Sequence, residues 1–134
     1  MKLWYCSAFP VEKVYFPRWS EYARTCDNIG LLIESMDVDG MRNPIFGQVV
    51  GKNHQVGPGK QRYAAARLLG WREVPILFRG KPLVRGVHKQ EMDLKEASEL
   101  LDATCKLQEG RNGVIKLIKT VKVYEGEWNE TIPD

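Results

Sequence analysis

Residues 57–75, GPGKQRYAAARLLGWREVP, read as a turn, a short helix, a second turn and the start of a buried strand. Ala64, Ala65, Leu68 and Leu69 recur at helical spacing, which predicts a helix over residues 60–69 that stops at Gly70. Gly59 stands where that helix begins. Glycine accepts positive φ and lets another group approach the backbone, and the first amides of a helix have no internal acceptor. Such an end attracts phosphate through its open donors and its partial positive charge. Lys60 and Arg62 fall in the first turn, where acids are the usual choice. Gly59, Lys60, Gln61 and Arg62 are therefore the candidate phosphate-binding set.

Charge supports this reading. The 134 residues carry a net +3, but from Lys52 to Lys89 there are nine Lys or Arg and one acid, Glu73, a net of +8. The remainder carries eleven bases and sixteen acids, a net of −5. A basic segment inside an otherwise acidic chain is the footprint of an anionic partner, or of a solvated surface.

The length suits one hydrophobic core without metal or disulfide support. Cys6, Cys26 and Cys105 are odd in number and form no CxxC, and the two histidines are His54 and His88, so neither a disulfide framework nor a metal site is expected. No leader pattern and no membrane-length apolar run is visible, so the expectation is a soluble, cytoplasmic protein with reduced thiols.

Outward from the opening stretch, residues 3–6 and 11–16 are β-prone, and Pro17 breaks the second. Ile29, Leu32, Ile33 and Met36 predict a helix with Asp27 as N-cap and Gly40 as stop. After Asn43-Pro44, residues 45–50 read as a buried strand; Gly51-Lys52-Asn53 turns the chain into residues 54–56. Residues 74–78 form the next strand.

This order of elements resembles the N-terminal domain of the ParB/sulfiredoxin-like superfamily over residues 9–78. The resemblance rests on Leu32-Ile33-Glu34-Ser35-Met36 with Gly40, Asn43-Pro44-Ile45, Gly59 and Arg62, then Ala65, Ala66, Leu68, Gly70, Val74 and Pro75. It implies a compact α/β (α+β) domain over residues 1–80 with a small mixed sheet and flanking helices; residues 81–134 are read as a C-terminal helical extension packed on the same domain. It also implies that the start of the matching helix contacts nucleotide phosphates; the cofactor is left open, a nucleotide with magnesium being the candidate. ParB-type CTP-binding domains carry Gly-Glu-Arg-Arg at this point, the Glu being implicated in hydrolysis; here Lys60 takes its place. Sulfiredoxins place their reactive cysteine at that position too, so sulfiredoxin chemistry is not expected. The residues after the match leave no room for helix-turn-helix and dimerisation domains, so full partition function is not expected either; a phage or mobile-element protein would suit such a chain.

Within the extension, Asp93 and Glu96 form a capping-box pattern, and Leu94, Ala97, Leu100, Leu101 and Cys105 one apolar helical face, predicting a helix to about Gln108. Residues 114–121 have helical spacing although their β-branched content also suits a strand, and Lys116, Lys119 and Lys122 would line one side, as a solvated face or a DNA-facing ridge. Residues 125–134 are an acidic tail. Of single residues, Arg62 is read as a phosphate ligand against pairing with an acid such as Glu34. Arg18, after Pro17 where ParB-like proteins often have an arginine, is a further candidate for the pocket or a surface residue. His54 is a further candidate for the site as an acid/base group, against a packed or solvent-facing side chain. Trp71 is read as core against stacking on a base.

Three functions are open. The first is a binding module for a nucleotide or a nucleic-acid backbone. The second is a nuclease, nucleotide triphosphatase or small kinase, for which Glu12, Glu34 and Glu73 are the candidate acids. The third is a protein-interaction domain facing an acidic partner, and a homodimer is compatible with all three.

Overall fold

A computed structural model describes residues 2–41 and 43–105. The chain runs β1 (Lys2–Pro10), a single 3-10 turn (Val11–Lys13), β2 (Val14–Tyr15), α1 (Trp19–Thr25), α2 (Ile29–Asp39), β3 (Ile45–Val50), β4 (Asn53–Val56), α3 (Lys60–Leu68), β5 (Glu73–Arg79), β6 (Gln90–Asp93) and α4 (Leu94–Cys105). The six strands form one sheet in the order β2-β4-β3-β5-β1-β6. β2 runs parallel to β4 and β3 parallel to β5, while the remaining pairs are antiparallel. The protein is thus an α/β domain on a mixed sheet, as its sequence implied.

Side chains of a strand alternate between faces, so each strand serves two cores. On one face Cys6, Phe9, Ile45, Val56, Ile76 and Phe78 pack with Met36 of α2 and Tyr63, Ala65 and Ala66 of α3. On the other, Leu3, Phe46 and Leu77 meet Met92 of β6 and Ala97 of α4. The run of three alanines in α3 fits this arrangement because small side chains let a helix lie close to its neighbours.

Several expectations are refined. The first strand is longer than its apolar centre, and α1 was not foreseen. The N-cap of α2 is Asn28 rather than Asp27, because the chain enters the helix one residue later. β6 was also missed; it adds to the edge of β1 through the pairs Lys2 with Asp93 and Leu3 with Met92. The capping box is present, with the Glu96 amide donating to Asp93 Oδ1 at 2.8 Å and the Asp93 amide to Glu96 Oε1 at 3.4 Å. The expected helix over residues 114–121, its lysine ridge and the acidic tail lie outside the described residues. Among the described residues no helix is long and apolar enough to cross a membrane.

At the sheet centre Gly47 pairs with Phe78, and a methyl at Gly47 would lie 2.8 Å from Phe78 Cε1 and 3.0 Å from the Gln55 carbonyl oxygen. The Phe78 ring is itself wedged against Phe9, with centroids 4.9 Å apart, and has no room to retreat. Gly47→Ala is therefore expected to cost about 1–3 kcal/mol by overpacking. Gly30→Ala, on the exposed start of α2 with nothing within 4 Å, should be neutral or stabilise by up to about 0.5 kcal/mol. Thermal melts of the two variants check the contrast, and equal melting temperatures would refute it.

Candidate functional site

β4 delivers the chain to Gly57-Pro58-Gly59, which is stitched to β3 by two backbone bonds. The Phe46 amide donates to the Pro58 carbonyl at 3.0 Å and the Gly57 amide to the Phe46 carbonyl at 2.9 Å. Gly59 then caps α3 with φ +103° and ψ 14°, a left-handed conformation that side chains rarely adopt. Space imposes a second demand for glycine, because a Cβ here would lie 2.9 Å from Arg62 Nη2 and 3.3 Å from Ile45 Cα.

Arg62 is folded back over that cap. Its Nη1 donates to the carbonyl oxygens of Asn43 at 2.6 Å and Pro44 at 3.0 Å. The guanidinium therefore ties the entry to β3 to the entry to α3 while keeping its charge at the helix start. The α3 ladder opens with the Tyr63 amide donating to the Gly59 carbonyl at 3.0 Å, so the Lys60, Gln61 and Arg62 amides precede the first intrahelical bond. The first turn holds no acid, in contrast to α4 with its Asp93 and Glu96 cap. Two cations thus sit at the positive end of a helix dipole.

Aromatic side chains border this end. Lys60 Nζ lies 5.4 Å from the centroid of the Phe16 ring, which stacks on Tyr63 with centroids 5.8 Å apart. The Tyr63 hydroxyl donates to the Val11 carbonyl at 2.8 Å, and one turn on, the Arg67 guanidinium covers the Trp19 ring at 4.9 Å. Gln61 is hydrogen-bonded to Tyr22 of α1. Arg18 follows two residues after Phe16, on the exposed surface, where its Nε and Nη2 donate to Glu21 Oε2 at 3.0 and 2.7 Å. Those bonds hold the Glu21 carboxyl below its usual value. The structure therefore gathers Gly59, Lys60, Gln61 and Arg62 at one helix end, with the Arg18 segment packed alongside.

His54 has a different place. It is buried, at 6% exposure, between Phe9 and Phe78 at ring distances of 5.2 and 5.8 Å, and its Nε2 accepts the Leu83 amide at 2.9 Å. An accepting Nε2 requires the neutral ring with its proton on Nδ1. Burial, aided by the positive charge of Lys89, pushes its pKa below the ordinary value. Of the alternatives the sequence left open for His54, the packed side chain is the one observed. Trp71 is half-buried against the core. Glu12, Glu34 and Glu73 stand on the 3-10 turn, on α2 and at the first residue of β5, and all three are exposed. Among the described residues no three His, Cys, Asp or Glu side chains converge as a metal site. Cys6 lies in the core, where burial pushes its thiol up to about 11. The carbonyl clamp on Arg62 and the His54 contact escaped the sequence reading because both depend on partners 18 or more residues away.

Neither a family sequence model nor a curated protein sequence matches the chain. Similar solved structures include sulfiredoxin from Arabidopsis thaliana, 24% identical with a TM-score of 0.48, over 61% of this chain and 88% of that one. They also include the C-terminally truncated chromosome-partitioning protein ParB from Caulobacter crescentus complexed with CTP-gamma-S, 20% identical with a TM-score of 0.45, over 92% of this chain and 64% of that one. A Pnob8-like ParB-N domain is 15% identical with a TM-score of 0.43, over 93% of this chain and 48% of that one. The chain thus spans less than two thirds of either ParB structure. Both kinds of protein named by the sequence resemblance are among these neighbours.

The state of His54 sets a pH dependence. The folded imidazole resists protonation while the unfolded one titrates at its ordinary 6.5, so the unfolded chain takes up more protons as pH falls. The contribution of His54 to stability is full above pH 6.5 and is lost as pH falls through that value towards the depressed folded one. His54→Gln keeps an acceptor for the Leu83 amide without the titration. Melting temperatures between about pH 8 and pH 5 should fall less steeply in the variant. Identical slopes would show that another group governs the acid limb.

Proposed function

We propose that this chain is a phosphate-binding module that holds a nucleotide or a nucleic-acid backbone at the start of α3. The carrying observation is the left-handed Gly59 cap over which the Arg62 guanidinium is fixed, with Lys60 beside it and no acid in the first turn. A helix end of this kind concentrates positive charge from the backbone dipole and two cationic side chains, and phosphate is the anion that suits it. Because Arg62 is held by two carbonyls, its charge is in place before a ligand arrives, which lowers the ordering cost of binding. The aromatic bed beneath Lys60 similarly limits the range of its ammonium.

Turnover is expected to be slow or undetectable, since a base, Lys60, stands where hydrolytic relatives of the superfamily carry an acid. The binding test uses CTP, ATP and GTP with and without magnesium, followed by calorimetry at low salt. Lys60→Glu reverses a charge at the helix start and should weaken nucleotide binding at least about tenfold, equivalent to about 1.4 kcal/mol, while a thermal melt verifies that the variant is folded. Arg62→Ala should cost about fivefold to a hundredfold in affinity. It should also lower the melting temperature, because it removes the hydrogen bonds to the Asn43 and Pro44 carbonyls. The proposal fails if no nucleotide and no short oligonucleotide binds, or if Lys60→Glu binds as tightly as the parent.

A further inference from the structure

Residues 80–89, between β5 and β6, contain no helix or strand, yet they are held at several points. Pro82 is buried, and Val84 and Val87 pack against the core on the same side of the sheet as α3. The Leu83 amide is bonded to His54, and Lys89 Nζ donates back to the carbonyls of Val84 at 2.6 Å and Val87 at 3.3 Å. With Pro82, Val84 and Val87 turned inward, the side chains displayed outward are those of Lys81, Leu83, Arg85 and His88.

The strand register brings a further cation to this end. Gln48 pairs with Arg79 and Val50 with Asn53, so the Gly51-Lys52 turn and the Gly80-Lys81 turn emerge from the same end of the sheet. A Cβ at Gly80 would lie 3.5 Å from Val49 Cβ, which shows how close the two turns are. Lys52, Lys81 and Arg85 are all exposed. The acid of the basic segment, Glu73, lies at the far end of β5, where it pairs with Pro10. Two acids on the β6 edge approach the loop's end of the sheet, and both are engaged. Glu91 pairs with Lys2 at 2.6 Å, and Asp93 accepts the Glu96 amide.

From this geometry we infer that the loop of residues 80–89 and the Lys52 turn form a second anion-binding station, and that its partner is a nucleic-acid backbone. Gly59 sits against Ile45 at the opposite end of β3, five residues of strand away from Val50, about 17 Å. A single nucleotide cannot occupy both stations, whereas a polymer of phosphates can. The inference rests on the α3 reading for the first station only. The loop station stands on its own cations, and its pinned backbone displays them without a large ordering cost.

The test is fluorescence anisotropy of the full chain with labelled duplex DNA and single-stranded RNA of about 30 nucleotides, at about 50 and 200 mM salt. The Lys81→Glu/Arg85→Glu double variant changes only exposed side chains, and a thermal melt verifies its fold. Its affinity for nucleic acid should fall at least about tenfold, its salt slope on duplex DNA should fall by about 2, and its affinity for CTP should be unchanged. Unchanged nucleic-acid affinity and slope would overturn the inference, as would binding of polyglutamate or phosphatidylserine vesicles with none of nucleic acid. Failure of the α3 reading looks different: Lys60→Glu would then leave CTP binding unaltered while the loop variant still lost nucleic acid.

Discussion

The bonds from Arg62 to the carbonyls of Asn43 and Pro44 form the joint on which the arrangement of β3, the hairpin and α3 depends. Residues three apart on a helix lie on one face, so an arginine at the third position after the cap folds back over the cap itself. The cap must then be glycine for two separate reasons, its left-handed backbone and the space the guanidinium occupies. Gly59 and Arg62 are thus one unit, the small residue making room for the large one. A positive charge at a helix start is unfavourable against the dipole, and the two carbonyls offset that cost with charge-assisted hydrogen bonds. The same unit is structural and, on the proposed reading, functional, so binding data on Arg62 variants have meaning only beside their melting curves.

A second constraint begins at the centre of the sheet. Gly47 leaves space for the Phe78 ring, Phe78 and Phe9 enclose His54, and His54 holds the Leu83 amide. This chain of contacts runs from the centre of the sheet to a surface loop through groups that are buried or half-buried. An irregular loop normally owes its position to its ends. This one owes it also to a neutral imidazole inside the core and to the Lys89 ammonium bonded back onto its carbonyls.

The sequence was most legible where structure is local. The hairpin around Gly51-Lys52, the Gly59 start of α3 and the Asp93 and Glu96 capping box each depend on residues within a few positions of one another. α1 was not legible because a two-turn helix with Trp19 and Tyr22 close after Pro17 shows too few apolar repeats to separate it from a loop. β6 was missed because Met92 is the single apolar residue of an edge strand whose other members are polar. Asp27 and Asn28 are both good caps, and nothing in composition chooses between them. His54 and Arg62 were recognised as residues of interest, but their partners lie far along the chain. No periodicity encodes such contacts.

Charge is the case in which linear reading and folded geometry diverge most. A continuous basic run in the sequence becomes two separated groups in space, and the groups differ physically. At α3 the cations are already in contact with protein: Arg62 on carbonyls, Lys60 on Phe16 and Arg67 on Trp19. Their charge is fixed in position and shielded from bulk water on one side, the condition for directional recognition of one phosphate. Lys52, Lys81 and Arg85 are exposed, where attraction is long in range, weak in direction and strongly screened by salt. On the proposed reading, the α3 start orients a bound phosphate, while the loop end supplies the salt-sensitive attraction that brings a polymer to it. That division follows from burial rather than from charge count, since the lysines of the two groups are chemically identical and differ only in what lies beneath them.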